Sequence, residues 1–172
     1  MLGLRQVKDK IIAKLFTKYP VLLNKWVQKT EFVEFEDTPW TRLTTDVAQS
    51  RLALITTGGV HLRSQPPFDM LDPQGDPAFR EIPQGAVPSD LMITHNYYDH
   101  TDADKDINII LPVERVDDLK QAQDIGAVNW RHFSFMGHIL KHHIDTLMHE
   151  SAPAVAAALK KDEVDIAILT PA

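Results

Sequence analysis

Short apolar runs of strand length alternate with helical patterns from residue 51 onward, and this alternation constrains the fold more than any other feature of the sequence. Alternating strands and helices are typical of a mainly parallel sheet with helices packed on it. We therefore predict an α/β fold with a Rossmann-like, mainly parallel sheet flanked by helices. The predicted strands are residues 52–57, 91–94, 107–111, 127–135 and 164–169, and the predicted helices are residues 113–124 and 154–161, the second with Ser151 as its N-cap.

The N-terminal part of the chain follows a different pattern. Apolar residues recur at helical spacing over residues 1–16, and a second, short helix is predicted after Pro20, a residue that suits the first turn of a helix. We therefore divide the chain into an N-terminal helical extension, residues 1–39, and an α/β domain, residues 40–172. Within that domain the proline-rich segment 64–90 is predicted to be a long loop.

Composition excludes several classes of protein. The 172 residues include no cysteine, which excludes disulfides, thiol nucleophiles and cysteine metal ligands within this sequence. The net charge of −6 argues against non-specific binding to nucleic acid. The sequence has no apolar run of about 18 residues, and its basic N-terminus lacks the apolar stretch of a signal peptide. We therefore expect a cytoplasmic protein with neither nucleic acid nor a membrane as its partner.

The segment from Thr56 to His61 is a candidate binding site, because it follows a predicted strand and contains Gly58 and Gly59. Backbone NH groups in such a turn can hold an anion or a carboxylate. The alternative is a tight turn that needs glycine for a positive φ angle. His61 and Arg63 strengthen the case for a ligand, because both side chains can bind a carboxylate.

A second candidate site lies in the polar loop of residues 95–106, just beyond another predicted strand. His95, Asp99 and His100 are side chains of the kind that ligate a divalent metal ion. The alternatives are a loop whose aspartates, including Asp106, stabilise turns, or a site for substrate binding or catalysis by histidine. We favour a site without metal.

Further histidines lie in the predicted strand 127–135 and after it. His132 and Ser134 are placed towards the end of that strand, where their side chains could face a ligand. His138, His142 and His143 are interpreted as a solvated surface. Their spacing lacks the H-E-x-x-H pattern, which excludes a zinc protease of that class.

These motifs together resemble the selenoprotein B subunit family of glycine, sarcosine, betaine and D-proline reductases, and within it the D-proline reductase branch. The resemblance runs from about Trp40 to the end of the chain. The matching segments are residues 52–71 (LALITTGGVHLRSQPPFDML), 91–113 (LMITHNYYDHTDADKDINIILPV), 131–137 (RHFSFMG) and 149–172 (HESAPAVAAALKKDEVDIAILTPA).

The resemblance implies chemistry that this sequence does not contain. In that family the last strand leads into a loop that carries selenocysteine or cysteine, and this chain ends at Ala172, one position before that residue is expected. A selenocysteine codon read as a stop would explain that ending. We therefore expect a truncated reductase subunit, with no cofactor of its own and without activity as the 172-residue chain.

The resemblance also implies partners and site residues. The expected partners are a subunit that carries a pyruvoyl group, a thiol donor protein and a small amino-acid substrate. The supporting catalytic candidates are His61, His95 and His132, and the substrate-binding candidates are Gly58, Gly59, Arg63, Asp99, His100 and Asp106.

Two further expectations follow: a family relative without redox chemistry is the alternative to a reductase, and the unfinished sheet predicts self-association. The alternative function is a non-catalytic α/β binding module for a small carboxylate or a partner protein. In either case an incomplete sheet would expose apolar strand surface, so we expect self-association through that face.

Overall fold

A computed structural model describes residues 4–28 and 36–172, and these residues fall into two units. The first unit contains the described residues up to Thr44 together with residues 96–99. Its two helices, α1 (Leu4–Lys18) and α2 (Pro20–Val27), confirm the predicted N-terminal helices. The rings of Phe16 and Trp26 pack together with their centroids 6.0 Å apart.

The second unit contains residues 45–95 and 100–172 and is built on a mixed, mostly parallel sheet. Strand β1 (Arg51–Thr56) is central and forms only parallel pairs, with β5 (Ala127–Val128) and β6 (Arg131–Phe135) on one side and β7 (Ile166–Thr170) on the other. Strand β3 (Phe79–Pro83) pairs antiparallel with β6. This arrangement confirms the predicted α/β fold class.

A second, two-stranded sheet and three helices complete this unit. Strands β2 (Val60–Leu62) and β4 (Leu91–Ile93) pair antiparallel. The helices are α3 (Val113–Gln121), α4 (His142–Thr146) and α5 (Ala152–Lys161). Among the described residues, no helix is both long and apolar enough to cross a membrane.

The two faces of the large sheet differ in character. Phe133 and Phe135 of β6 pack against Val155 of α5 on one face, together with Ile55 and Phe79. Because strand side chains alternate between faces, the residues between them point to the opposite face. That face therefore carries polar side chains among apolar ones: Leu54 and Thr56 of β1, and His132 and Ser134 of β6, all of them buried.

Four local predictions were wrong in whole or in part, because polar side-chain contacts or strand pairing override the local sequence pattern. Residues 107–111 are not a strand, because the Asp106 side chain accepts a bond from the Asn108 NH and starts the short 3-10 helix Ile107–Ile109. Ser151 does not cap α5, because it lies in helical conformation at the end of the π-helical turn Leu147–Ser151 that joins α4 to α5.

The third concerns segment 64–90, which is not entirely a loop because it contains β3. The predicted strand 127–135 is also divided, since Asn129 and Trp130 separate β5 from β6. At this break the Asn129 NH donates to the Leu52 carbonyl at 2.7 Å. The Leu54 NH donates to the side chain of His132 instead of to a backbone carbonyl.

Candidate functional site

The carboxyl ends of β1, β6 and β7 meet at one edge of the sheet. The Thr57 NH donates to the Thr170 carbonyl at 3.1 Å, and the Gly59 NH donates to the Phe135 carbonyl at 2.9 Å. The Ala172 NH reaches the Thr57 hydroxyl at 3.2 Å. In open α/β sheets ligands bind outside the carboxyl ends of the strands. This edge is therefore the candidate functional site.

Gly58 and Gly59 form the turn that follows β1 at this edge. Gly59 has a φ of +69°, and a Cβ atom there would lie 2.6 Å from the Thr94 carbonyl oxygen. The Gly58 NH donates to the Thr56 hydroxyl at 3.1 Å, and the Gly59 NH donates to the Phe135 carbonyl at 2.9 Å. Their role in substrate binding stays a prediction, and any anion held by these NH groups would have to replace bonds within the protein.

His95 lies beside this turn. A Cβ atom on Gly59 would be 3.3 Å from the His95 Cβ atom, and the His95 side chain is buried. Burial, together with smaller effects from the charges of His138 and His100, lowers the pKa of His95 to about 3. At neutral pH His95 is therefore an uncharged hydrogen-bonding group. It can orient a ligand, but it is too weakly basic to hold a proton.

His61 is part of the small sheet, and both of its ring nitrogens have hydrogen-bond partners there. One ring nitrogen lies 2.8 Å from the Leu62 carbonyl, and the other lies 2.8 Å from the Thr94 hydroxyl. The ring also packs edge-on against Phe68. Burial lowers the pKa of His61, so the ring is neutral at physiological pH. These contacts support a structural role, and the catalytic role stays a prediction.

A cavity of about 440 Å³ brings Arg63 and His100 together. The Arg63 Nε donates to the Ser89 carbonyl at 2.9 Å, and the described residues offer no hydrogen-bond partner to its two terminal nitrogens. His100 forms a 2.8 Å contact with Asp104, and Lys105 also lines the cavity. Asp104 lines the cavity as well, and Lys105 is paired with Asp102 at 2.7 Å. The feature suited to a carboxylate is therefore the planar guanidinium of Arg63 with its open donors.

Asp106, another candidate of the 95–106 loop in the second unit, does not line this cavity. Asp106 accepts bonds from Asn108, which lower the pKa of its carboxyl group and fix the start of the 3-10 helix. Asp99 belongs to the first unit. Among the described residues, no group of three histidine or acidic side chains could hold a metal ion, and this includes the set of His95, Asp99 and His100.

His132 lies away from the strand-end edge, because it is the second of five residues in β6. Its Nδ1 accepts the Leu54 NH at 3.1 Å. Burial lowers the pKa of His132 to about 4. His138 is nearer the edge, where it contacts the Pro73 carbonyl at 3.0 Å, and His143 contacts Asp72 at 3.0 Å.

Thr170 organises the end of β7, and it was not among the predicted site residues. Its hydroxyl donates to the Ile110 carbonyl at 2.6 Å and also lies 3.3 Å from the Ile55 carbonyl. It thereby ties β7 to β1 and to the turn before α3. The sequence contained a signal for this role, because β1 and β7 both end in a threonine. These two residues, Thr56 and Thr170, pair in register.

Comparisons with known proteins agree with the resemblance and extend it towards the N-terminus. The family model described as glycine/sarcosine/betaine reductase selenoprotein B matches residues 21–172, which include all of α2 except Pro20. A D-proline reductase subunit gamma from Acetoanaerobium sticklandii is 32% identical over 147 residues. The alignment covers 85% of this chain and 59% of that relative, so the chain spans less than two thirds of its length. No solved structure matches.

Proposed function

Because the chain belongs to the glycine/sarcosine/betaine reductase selenoprotein B family, we propose that it is part of a reductase subunit that cleaves the C–N bond of a small amino acid. The observation that carries this proposal is the position of the end of β7. Residues 170–172 bond to Thr57 at the carboxyl edge of β1. A nucleophile placed shortly after Ala172 would enter the site beside Gly59 and His95.

The proposed reaction uses a selenolate or thiolate that the full-length subunit supplies after residue 172. This group attacks the substrate carbon that bears the amine, a carbon–chalcogen bond forms, and the amine leaves with the electron pair of the broken C–N bond and takes up a proton. A second thiolate attacks the chalcogen, and the carbon departs with the electron pair and is protonated. A thiol donor protein then supplies two electrons, which reduce the remaining bond between the two chalcogens.

The described residues would bind and orient the substrate. The open guanidinium nitrogens of Arg63, with His100 nearby, support binding of the substrate carboxylate in the 440 Å³ cavity. The neutral ring of His95 would contribute hydrogen bonds without holding a proton. Activation of the amine is assigned to a pyruvoyl group on a partner subunit, and the location is proposed to be the cytoplasm.

A direct test compares the full-length subunit with the 172-residue chain, each mixed with the partner subunit and a dithiol donor. Amine release is measured for glycine, sarcosine and betaine, and formation of the ring-opened primary amine is measured for D-proline. We expect turnover of one of these substrates by the full-length subunit and none by the 172-residue chain. Turnover by the 172-residue chain, or failure of the full-length subunit with all four substrates, would contradict the proposal.

The carboxylate role is tested in the full-length subunit by Arg63→Gln. We expect KM to rise about tenfold or more, because a charge-assisted contact of about 1.5–3 kcal/mol is lost. Arg115→Gln is the matched control, since Arg115 is an exposed arginine on α3 and the charge change is the same. An equal KM for the two variants would show that Arg63 does not bind the substrate carboxylate. The reductase assignment would be unaffected by that result.

The second candidate function is a non-catalytic module that binds a small carboxylate. It is favoured by the absence of cysteine from the sequence, which leaves the chain itself without a thiol nucleophile. Binding of a carboxylate by the full-length subunit without turnover in the presence of the partner would support this alternative.

A further inference from the structure

One face of helix α1 is both apolar and exposed. Its residues recur at intervals of three or four positions, which place side chains on one side of a helix. The other side of α1 packs inward, where Ala13 is buried and the ring of Phe16 packs against Trp26 of α2. The exposed face therefore lies outside the contact between the two helices. Its apolar members, each at least 41% exposed, are Leu4, Val7, Ile11 and Leu15.

Lysines border the exposed face of α1 on both sides. Lys14 and Lys18, four positions apart, lie along one side of it, and Lys8 lies along the other; all three are exposed. Asp9, the one acidic residue of α1, lies away from this face and is paired with Arg5 at 3.6 Å. The exposed face of α1 therefore combines an apolar stripe with positive charge and carries no carboxylate.

Helix α2 adds apolar surface to the same unit. None of its residues is buried, and Val21 and Trp26 are both more than half exposed. Residues 4–28 contain six basic side chains and one acidic one, whereas the whole sequence has a net charge of −6. Positive charge is thus concentrated where apolar surface is exposed. A partner that fits this surface is both apolar and anionic.

The arrangement of the lysines favours a lipid surface over a protein as that partner. Protein–protein interfaces are depleted of lysine, whereas here lysines directly flank the apolar stripe. A second copy of the same face would bring lysine against lysine. At a membrane surface, the aliphatic side chains enter the boundary of the acyl chains. The lysine stems lie along this boundary, and their ammonium groups stay among anionic headgroups.

We propose that the exposed face of α1 binds the surface of a membrane that contains anionic lipids, with the helix axis in the plane of the surface. The expectation that no membrane is a partner rested on the lack of a spanning segment, and a helix that lies on the surface needs none. The proposal uses only residues of the first unit, so it does not depend on the reductase assignment.

The experiment mixes the 172-residue chain with vesicles of phosphatidylcholine, either alone or with about one third phosphatidylglycerol. Flotation of the vesicles measures the bound fraction. We expect binding to the anionic vesicles, binding at least about tenfold weaker to the neutral ones, and release of the protein at high salt. The absence of binding to the anionic vesicles, or equal binding to both, would overturn the proposal.

The apolar stripe is tested by Ile11→Gln against Ile109→Gln. Both isoleucines are exposed, at 54% and 58%, so neither change opens a cavity in the core. We expect the affinity for anionic vesicles to fall about tenfold in the first variant, because less apolar surface is buried, and to stay unchanged in the second. Equal affinities in the two variants would contradict the assignment of this face.

The charge is tested by combining Lys8→Gln with Lys14→Gln. The matched control combines Lys160→Gln with Lys161→Gln, two exposed lysines at the end of α5. We expect only the first pair to weaken binding, by about fivefold for each lysine. Equal weakening by both pairs would show that net charge alone attracts the chain. If Ile11→Gln instead lowers the mass measured by light scattering and no vesicle binding is seen, the face binds a second copy and the proposal is wrong.

Discussion

At the residue scale, burial of two histidines ties stability to pH. The pKa values of His95 and His132 fall to about 3 and about 4, against an ordinary value near 6.5 in the unfolded chain. Below pH 6.5 the unfolded chain therefore takes up protons that the folded chain does not. The stability contributed by the neutral rings is complete above pH 6.5 and is lost as the pH falls from there towards 4.

We expect the free energy of unfolding, measured by urea denaturation at several pH values, to fall by about 1.4 kcal/mol per pH unit for each of these histidines below pH 6.5. His132→Asn removes one titrating group, and its side-chain oxygen can still accept the Leu54 NH. In this variant the part of the pH dependence that comes from the two histidines should be about half as steep as in the wild type. Ser134→Ala, a non-titrating change on the same face of β6, is the control. If the free energy of unfolding depends on pH equally steeply in His132→Asn and in the wild type, burial does not lower the pKa of His132.

The sequence predicted polar residue types for the candidate site but not the contacts that the fold gives them. His61 and Asp106 carry the functional groups that were anticipated, yet both are engaged in local hydrogen bonds that hold a small sheet and a 3-10 helix. Whether a ring nitrogen is open depends on its neighbours in space. The Leu54 NH that occupies one nitrogen of His132 lies 78 positions away in the chain, and no local pattern reports it.

At the element scale, the turn between β1 and β2 has to satisfy two separate constraints. Gly59 has a positive φ, and its Cα lies close to the Thr94 carbonyl. We expect Gly59→Ala to lower the free energy of unfolding by about 2 kcal/mol or more, because backbone strain and a steric clash add. Thermal or urea denaturation of the purified variant measures this change.

Gly85→Ala separates the effect of backbone strain from the effect of the steric clash. Gly85 also has a positive φ, +84°, but a Cβ atom there would meet nothing within 4 Å. We expect a loss of only about 1 kcal/mol, because strain alone remains. Equal losses in the two variants would show that the contact with Thr94 is not what requires glycine at position 59.

The elements that were predicted best are those whose burial is uniform along the strand or helix. β1 is buried at four of its six positions, and its apolar run is unbroken after Arg51. β3 was missed because only one of its five residues is buried and because its sequence contains Arg80, Glu81 and Pro83. It is a strand because it pairs with β6, about 50 positions later, along its whole length.

At the scale of the whole molecule, topology explains why the location of the site could be anticipated. Parallel strands place their carboxyl ends at one edge, so the turn after β1 and the end of β7 had to meet. The 440 Å³ cavity could not be anticipated, because its walls combine segments distant in sequence. Arg63 meets β4 and the turn of residues 103–107 there.

The large sheet also has an edge that the described residues leave open. β7 pairs with β1 alone within residues 4–28 and 36–172, and the side chain of Leu169 is 68% exposed. An apolar strand with unpaired backbone groups along one side is a template for pairing with another chain. We therefore expect the 172-residue chain to self-associate as its concentration rises, as measured by multi-angle light scattering.

Leu169→Lys should shift that equilibrium towards the monomer, because a lysine on an edge strand opposes pairing. Leu71→Lys is the matched control, since Leu71 is 79% exposed but lies in the loop before β3. If both variants lower the mass equally, general surface charge rather than the open edge controls association. A wild-type chain that stays monomeric at all concentrations would show that β7 is not used for pairing between chains.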